Sequence, residues 1–280
     1  MKITLKTVMI IAMTLLISQS LVAKKLSTNL KAQYSTAEEI SKKLKAKNFM
    51  IIGGSSVAQN NDYKILVVTH KELKKFAKKN KRGFAAVLRI LINDKDKEVI
   101  VTNPEYFMRA FLQKDYKKGS GKVVRDLLVE ALGELKGTKD KMSAGSLKGY
   151  HFMFGMPYYK EFQTVGKGTP DELLQRAKDS GRMLFKLNLS SGDKKRYLVG
   201  IKLPKKIEKF NKKLKTMKKS TMLPYMVLIE GKKAKIMHAK YFLAVSLPKL
   251  SMGQFMKIRS VPDSIQKSIK KVFKVKKAKK

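Results

Sequence analysis

The sequence predicts an α+β fold: two tandem copies of one small two-layer domain, each a mixed or antiparallel sheet with helices packed on it. Three observations predict it. The segment from Thr36 (TAEEISKKLKAKNFMII) recurs from Thr169 (TPDELLQRAKDSGRMLF), 133 residues later. Phe76 in KELKKF recurs as Phe210 in KKIEKF, and Tyr106–Phe107 in VIVTNPEYF recurs as Tyr241–Phe242 in KIMHAKYF. Repeats of solenoids run to about 20–50 residues, so this longer period means a duplicated domain. Within each copy, alternating apolar segments interleave with helical ones, which is the pattern of helices layered on a sheet.

The second copy reads in order as follows. Tyr158–Val165 (YYKEFQTV) alternates as a strand. Thr169 then caps a helix, with Glu172 three residues on and Pro170 at the first helical position. Met183–Leu189 and Tyr197–Ile201 are strands around the turn Ser190–Lys195. Pro204–Met217 reads as a helix, with Ile207, Phe210, Leu214 and Met217 on one face and lysines elsewhere. Tyr225–Ile229 and Ala234–Met237 form a hairpin around Gly231, and a last helix covers Pro262–Phe273.

The first copy repeats this order. Its opening strand falls near Leu30–Tyr34, and Thr36 with Glu39 repeats the capping box. Phe49–Val57 and Tyr63–Thr69 are strands around the polar turn Asn60–Asp62. Lys71–Asn80 is a helix, and Phe84–Ile92 with Val99–Thr102 is the second hairpin. Asn103 caps a short helix carrying Tyr106, Phe107, Ala110 and Phe111, and Val123–Leu135 closes the unit. The expected organisation is a leader at 1–23, a first domain at 24–137, a Gly/Ser-rich join at 138–149, a second domain at 150–274 and a basic tail at 275–280.

The leader has Lys2 and Lys6 before an apolar run from Val8 to Val22, the form of a secretory signal cleaved near Ala23. The run is shorter than the roughly 20 residues that span a bilayer comfortably. An uncleaved N-terminal anchor is the alternative. The expected compartment is the periplasm or the extracellular space. The chain has no cysteine, so lipid modification at a cysteine and disulfides are both excluded.

The formal net charge is +42, of which residues 1–23 carry only two lysines, leaving +40. Its make-up narrows the partners. Only eight of the 63 basic residues are Arg, and phosphate and base recognition favour the planar Arg fork. Nucleic acid is therefore not the expected partner. Anionic lipid, a cell-envelope polymer or an acidic protein are. A lysine-rich surface that serves only solvation is the alternative.

The order of elements, the segment running into NPEYFMRAF and its counterpart HAKYFLAV resemble the domain of unknown function 302 family, once per copy. The Asn-Pro-x-Tyr element at Asn103–Tyr106 is the most specific part, and the second copy departs from it with His238 and Ala239. The resemblance implies a small bacterial or archaeal α+β domain, sometimes in tandem. It implies no activity.

No catalytic set is legible: there is no cysteine and no G-x-S-x-G elbow, and the few acids are scattered. GSGK before Val123 lacks the first glycine and the hydroxyl residue of a phosphate-binding loop, although a helix start with Lys122 is a plain anion acceptor. The three histidines show no metal spacing. No cofactor is expected. A soft-metal set at His151, Met153 and Met156, or a haem near His151 or His238, is the redox alternative. The candidate ligand residues lie around the shared aromatic pair. They are Asn103, Tyr106 and Arg109 in the first copy and His238 and Tyr241 in the second, expected to face a small ligand between the copies. The function expected from all this is an exported, non-enzymatic binding protein with a strongly basic surface.

Overall fold

A computed structural model describes residues 24–275. The leader reading and the last five residues of the basic tail lie outside the described residues. The first copy opens with β1 (Lys25–Ser27), β2 (Asn29–Ala32) and α1 (Ala37–Ala46), followed by β3 (Met50–Val57), β4 (Asn60–Thr69) and α2 (Lys71–Phe76). It continues with β5 (Leu88–Asn93), β6 (Glu98–Thr102), α3 (Pro104–Leu112) and α4 (Ser120–Leu132). The join supplies β7 (Lys136–Gly137) and β8 (Lys141–Ser143). The second copy has β9 (Gln163–Lys167), α5 (Pro170–Asp179), β10 (Met183–Asn188), β11 (Arg196–Ile201), α6 (Lys205–Glu208) and α7 (Phe210–Lys213). It ends with β12 (Tyr225–Glu230), β13 (Lys233–Ile236), α8 (Ala239–Ser246), α9 (Met252–Lys257) and α10 (Val261–Val272).

The fold is α+β, and every ladder in it is antiparallel. The first sheet runs β3-β4-β5-β6-β2-β7 and the second β10-β11-β12-β13-β9, so the same strand order occurs twice, with β7 added to the first. The duplication extends to an irregularity. Both first hairpins carry a bulge at the same place, between Ile51 and Gly53 in one copy and between Met183 and Phe185 in the other. Thr36 and Thr169 both close the capping boxes their sequences announce. The reciprocal bonds satisfy N–H groups that a helix start otherwise leaves unpaired.

Several boundaries differ from the sequence reading. The first turn is Ala58–Gln59, both at positive φ, and not Asn60–Asp62. A two-residue loop with positive φ matches the twist of its flanking strands, and the hairpin takes it although neither residue is glycine. Phe84 lies in a 3-10 turn, Gly83–Ala86, ahead of the strand. Tyr158–Glu161 is not strand; β9 starts at Gln163. The expected helix Pro204–Met217 is broken into α6 and α7, and its counterpart stops at Phe76. The matched residues Lys81 and Lys215 both sit at positive φ, past the ends of α2 and α7. The join is not a free linker. β8 pairs with β1, β7 pairs with β2, and Thr138 N–H donates to the Asn29 carbonyl at 3.0 Å.

The buried apolar residues of both copies form one continuous cluster. The Gly83–Ala86 turn packs on β11 and β12, and its counterpart Met217–Met222 packs on β5 and β6. The copies thus clasp one another reciprocally, as two subunits related by a two-fold axis do. Among the described residues no helix is long and apolar enough to cross a membrane.

Candidate functional site

The shared aromatic pair lies on the seam. Tyr106 O–H donates to the Val245 carbonyl at 2.8 Å, and Tyr241 O–H donates to the Ala110 carbonyl at 3.3 Å. Ala110 and Val245 hold the same place in α3 and α8, so each copy's tyrosine caps the other's helix. Phe107, Phe111, Tyr159 and Phe242 fill the space around them, with ring centroids about 5–6 Å apart. Burial pushes both tyrosine hydroxyls well above their usual range, so they are neutral donors.

The other expected ligand residues are equally engaged. Asn103 is buried: its carbonyl oxygen accepts from Glu105 N–H at 3.0 Å and its amide donates to the Ser27 carbonyl at 2.7 Å. His238 caps α8 in the matching way, its Nδ1 accepting from Lys240 N–H at 3.2 Å. Arg109 stacks over Tyr116, 4.4 Å from the ring centre. The five residues do not line one cleft. Asn103, Tyr106, His238 and Tyr241 are bound into the fold, and the seam between the aromatic pairs is filled by side chains.

The surface of the seam carries a groove of about 590 Å³ lined by Lys81, Arg196, Glu230, Lys232 and Lys235. Its floor is a buried ion pair, Arg196 to Glu230 at 3.3 Å. Arg196 also donates to the carbonyls of Lys78 and Lys79 in the first copy, and Glu230 accepts from Lys81 N–H at 3.1 Å. These bonds hold the copies together, with Arg196 Nε alone of the guanidinium nitrogens buried without a partner. Buried pairs of this kind hold geometry more than they add net stability.

The segment with His151, Met153 and Met156 is an irregular loop. The His151 ring stacks on Tyr158 at 4.4 Å, and Met156 N–H closes a turn onto the Met153 carbonyl at 3.0 Å around Gly155. Among the described residues no group of three His, Cys, Asp or Glu is placed to hold a metal ion. At the apex Phe154 is 99% exposed, and Met153 beside it is 39% exposed. The loop is fixed at its base by Phe152, whose ring packs on Phe255 of α9 at 5.5 Å. Met252 and Met256, one turn apart on α9, are 40% and 50% exposed. Lys215, Lys249 and Gln254 of α9 line one neighbouring hollow of about 280 Å³.

The apolar tip is thus packed on α9, which borders a hollow lined by Lys215, Lys219 and Lys249, and Lys215 ends a lysine-rich stretch. Lys205, Lys206, Lys209, Lys212, Lys213 and Lys215 are all exposed, and none enters an ion pair among the described residues. The one acid among them, Glu208, turns inward and accepts from Ala58 N–H at 2.6 Å. Burial raises its carboxyl above the usual range. The Phe154 segment is irregular backbone and not strand. Gly155 and Pro157 within four residues are the turn signals that mark it as a loop. No protein-family profile, curated protein or solved structure matches the chain.

Proposed function

We propose that this is an exported, non-enzymatic binding protein that docks on an anionic lipid surface. The carrying observation is Phe154, fully exposed at the apex of a loop whose base packs on α9, the helix that bears the exposed Met252 and Met256 and borders the hollow lined by Lys215 and Lys249. Isolated exposed aromatics are unremarkable, but an apolar tip rimmed by cations has the character of an interfacial anchor. Phe154 is worth about 1.5–3 kcal/mol if it leaves water for the acyl boundary, and each lysine near an anionic leaflet about 1 kcal/mol. Export rests on Lys2, Lys6 and the apolar run that follows them. Membership of the domain of unknown function 302 family is part of the same proposal. It is supported by the Asn103–Tyr106 element and by the unit order that each copy repeats.

Sedimentation of the protein with vesicles tests the reading. We expect binding to phosphatidylglycerol vesicles at low salt, loss of it at high salt, and little binding to phosphatidylcholine alone. Phe154→Ser is expected to weaken binding about tenfold, corresponding to ~1.4 kcal/mol. No binding to anionic vesicles at low salt would overturn the proposal.

A further inference from the structure

A groove of about 620 Å³ lies between α6 and α10 of the second copy. Its walls carry Arg182, Lys206, Lys267 and Lys271, with Ser264 and Ser268 between them, and none of its lining residues is Asp or Glu. Asp263, in the first turn of α10, is not among them. A cleft lined by one sign of charge concentrates counter-ions.

The duplication supplies an internal control. KELKKF against KKIEKF places Glu72 opposite Lys206. Matching the buried stripe of α4 to that of α10, Val124 to Ile265 and Leu128 to Ile269, places Asp126 opposite Lys267 and Glu130 opposite Lys271. The same helices touch in both copies, α2 with α4 and α6 with α10. So three acids around this position in the first copy are three lysines in the second. The acids are neutralised where they stand, Glu72 by Lys75, Asp126 by Lys122 and Glu130 by Lys47, at 3.7, 2.6 and 3.1 Å. The three lysines enter no ion pair among the described residues.

The floor of the groove is organised for hydrogen bonding as well. Arg182, half-buried, donates to the Lys202 carbonyl through Nε and one Nη, and to the Ser268 carbonyl and hydroxyl through its Nη groups. That uses four of the five donors a guanidinium carries. Ser268 Oγ accepts from Arg182 at 2.9 Å, so its own proton is free to donate.

We propose that this groove binds a dianionic phosphate group, with Lys206, Lys267 and Lys271 supplying charge and Ser264 and Ser268 supplying hydroxyl donors, while Arg182 holds the floor. The chemistry is shared by a phosphomonoester lipid headgroup and by free phosphate compounds. The site stands whether or not the Phe154 loop docks on lipid.

The test compares two triple variants of equal charge change in the full chain. One restores the first copy's acids: Lys206→Glu, Lys267→Asp and Lys271→Glu. The other reverses exposed lysines of α1 in the first copy, outside both the groove and the α6–α7 lysine run: Lys42→Glu, Lys43→Glu and Lys45→Glu. Calorimetric titration with inorganic pyrophosphate and sedimentation with vesicles containing phosphatidic acid provide the two arms, and circular dichroism checks folding. If the acid variant does not fold, the Gln triple at the same three positions replaces it. We expect the groove variant to lose at least about tenfold in affinity in one arm or both, and the control less than about threefold. Loss with pyrophosphate identifies a soluble source, and loss on vesicles alone a headgroup. Equal losses in both variants would overturn the groove and leave lipid docking intact. Binding of neither probe by the unaltered protein would also overturn the groove. Lipid docking through Phe154 fails separately, on phosphatidylglycerol.

Discussion

Tyr106 and Tyr241 bond across the seam in opposite directions, each closing a carbonyl of the other copy's helix. Replacing either by Phe leaves the ring packing and removes one bond; the Val245 carbonyl is then left without a partner among the described residues, whereas the Ala110 carbonyl still accepts from Gln113 Nε2 at 2.6 Å. A net bond contributes about 0.5–1.5 kcal/mol, and an orphaned buried acceptor costs about 1–3 kcal/mol. We expect Tyr106→Phe to lower stability by about 1–2 kcal/mol in urea unfolding, and Tyr241→Phe by only about 0.5–1.5 kcal/mol. A transition that splits in two in the double variant would show that the copies lose their clasp before their folds.

Phe185 and Gly200 form a second pair the duplication explains. In the first copy the corresponding ladder partners are Gly53 and Val67; in the second the large residue has changed strand. A Cβ at Gly200 would fall into the Phe185 ring. Gly200→Val should therefore be overpacked and cost about 1–3 kcal/mol. The same change in a Phe185→Ala background should cost less, with a coupling of about 0.5–3 kcal/mol in a double-mutant cycle. Additive costs would refute the swap.

How much of this was legible depends on what the repeat reports. Thr36 with Glu39 and Thr169 with Glu172 fixed two helix starts, because a capping box is a local interaction between neighbours in sequence. The α+β class followed from the alternation of elements; the strand order, with the opening strand beside the last strand of the second hairpin, is a long-range pairing that alternation does not report. The role of the Tyr-Phe pair did not follow either. Two copies that keep the same buried aromatics can keep them for their own cores or for each other, and only the crossing to Val245 and Ala110 separates the two. Asn103 and His238 looked like unmatched polar candidates, yet both do one job, because either side chain offers an acceptor to the N–H two residues on. The lysine groove was hidden for a different reason. Two of its three charge reversals lie in the closing helices, whose sequences share an apolar stripe and little else.

Arg89 is a cation buried in the interior. It sits in β5 at 2% exposure, with Nε and one terminal nitrogen unpartnered, and burial pulls its guanidinium down to about 9, so it is still charged at neutral pH. The Phe242 ring lies 5.9 Å away. A desolvated cation–π contact returns about 2 kcal/mol, against a penalty of several kcal/mol for an unpaired buried ion. The register of both hairpins places Met226 at the matching position in the second copy. Arg89→Met is expected to raise the urea midpoint by about 1–4 kcal/mol equivalent with an unchanged slope. A lower midpoint would mean that the guanidinium is compensated.

His238 makes the start of α8 sensitive to acid where the matching start of α3, capped by Asn103, is not. Its Nδ1 accepts the capping bond from Lys240 N–H, which only the neutral ring can do. Burial is the main cause that lowers its pKa from 6.5; Lys240 lowers it further, while Glu161 and Asp263 raise it. His70, which caps α2 through Nδ1, is lowered for the same leading reason. With a depressed folded pKa, the unfolded chain binds protons first. The stabilisation is therefore present above 6.5 and is lost as pH falls through the folded values. His238→Asn restores the cap residue of the first copy, Asn103, which does not titrate. Melting temperature against pH should fall below about 6.5 in the unaltered protein, fall less in His238→Asn, and least in the variant that also carries His70→Asn. Parallel curves for all three would show that carboxylates, and not these caps, set the acid limit.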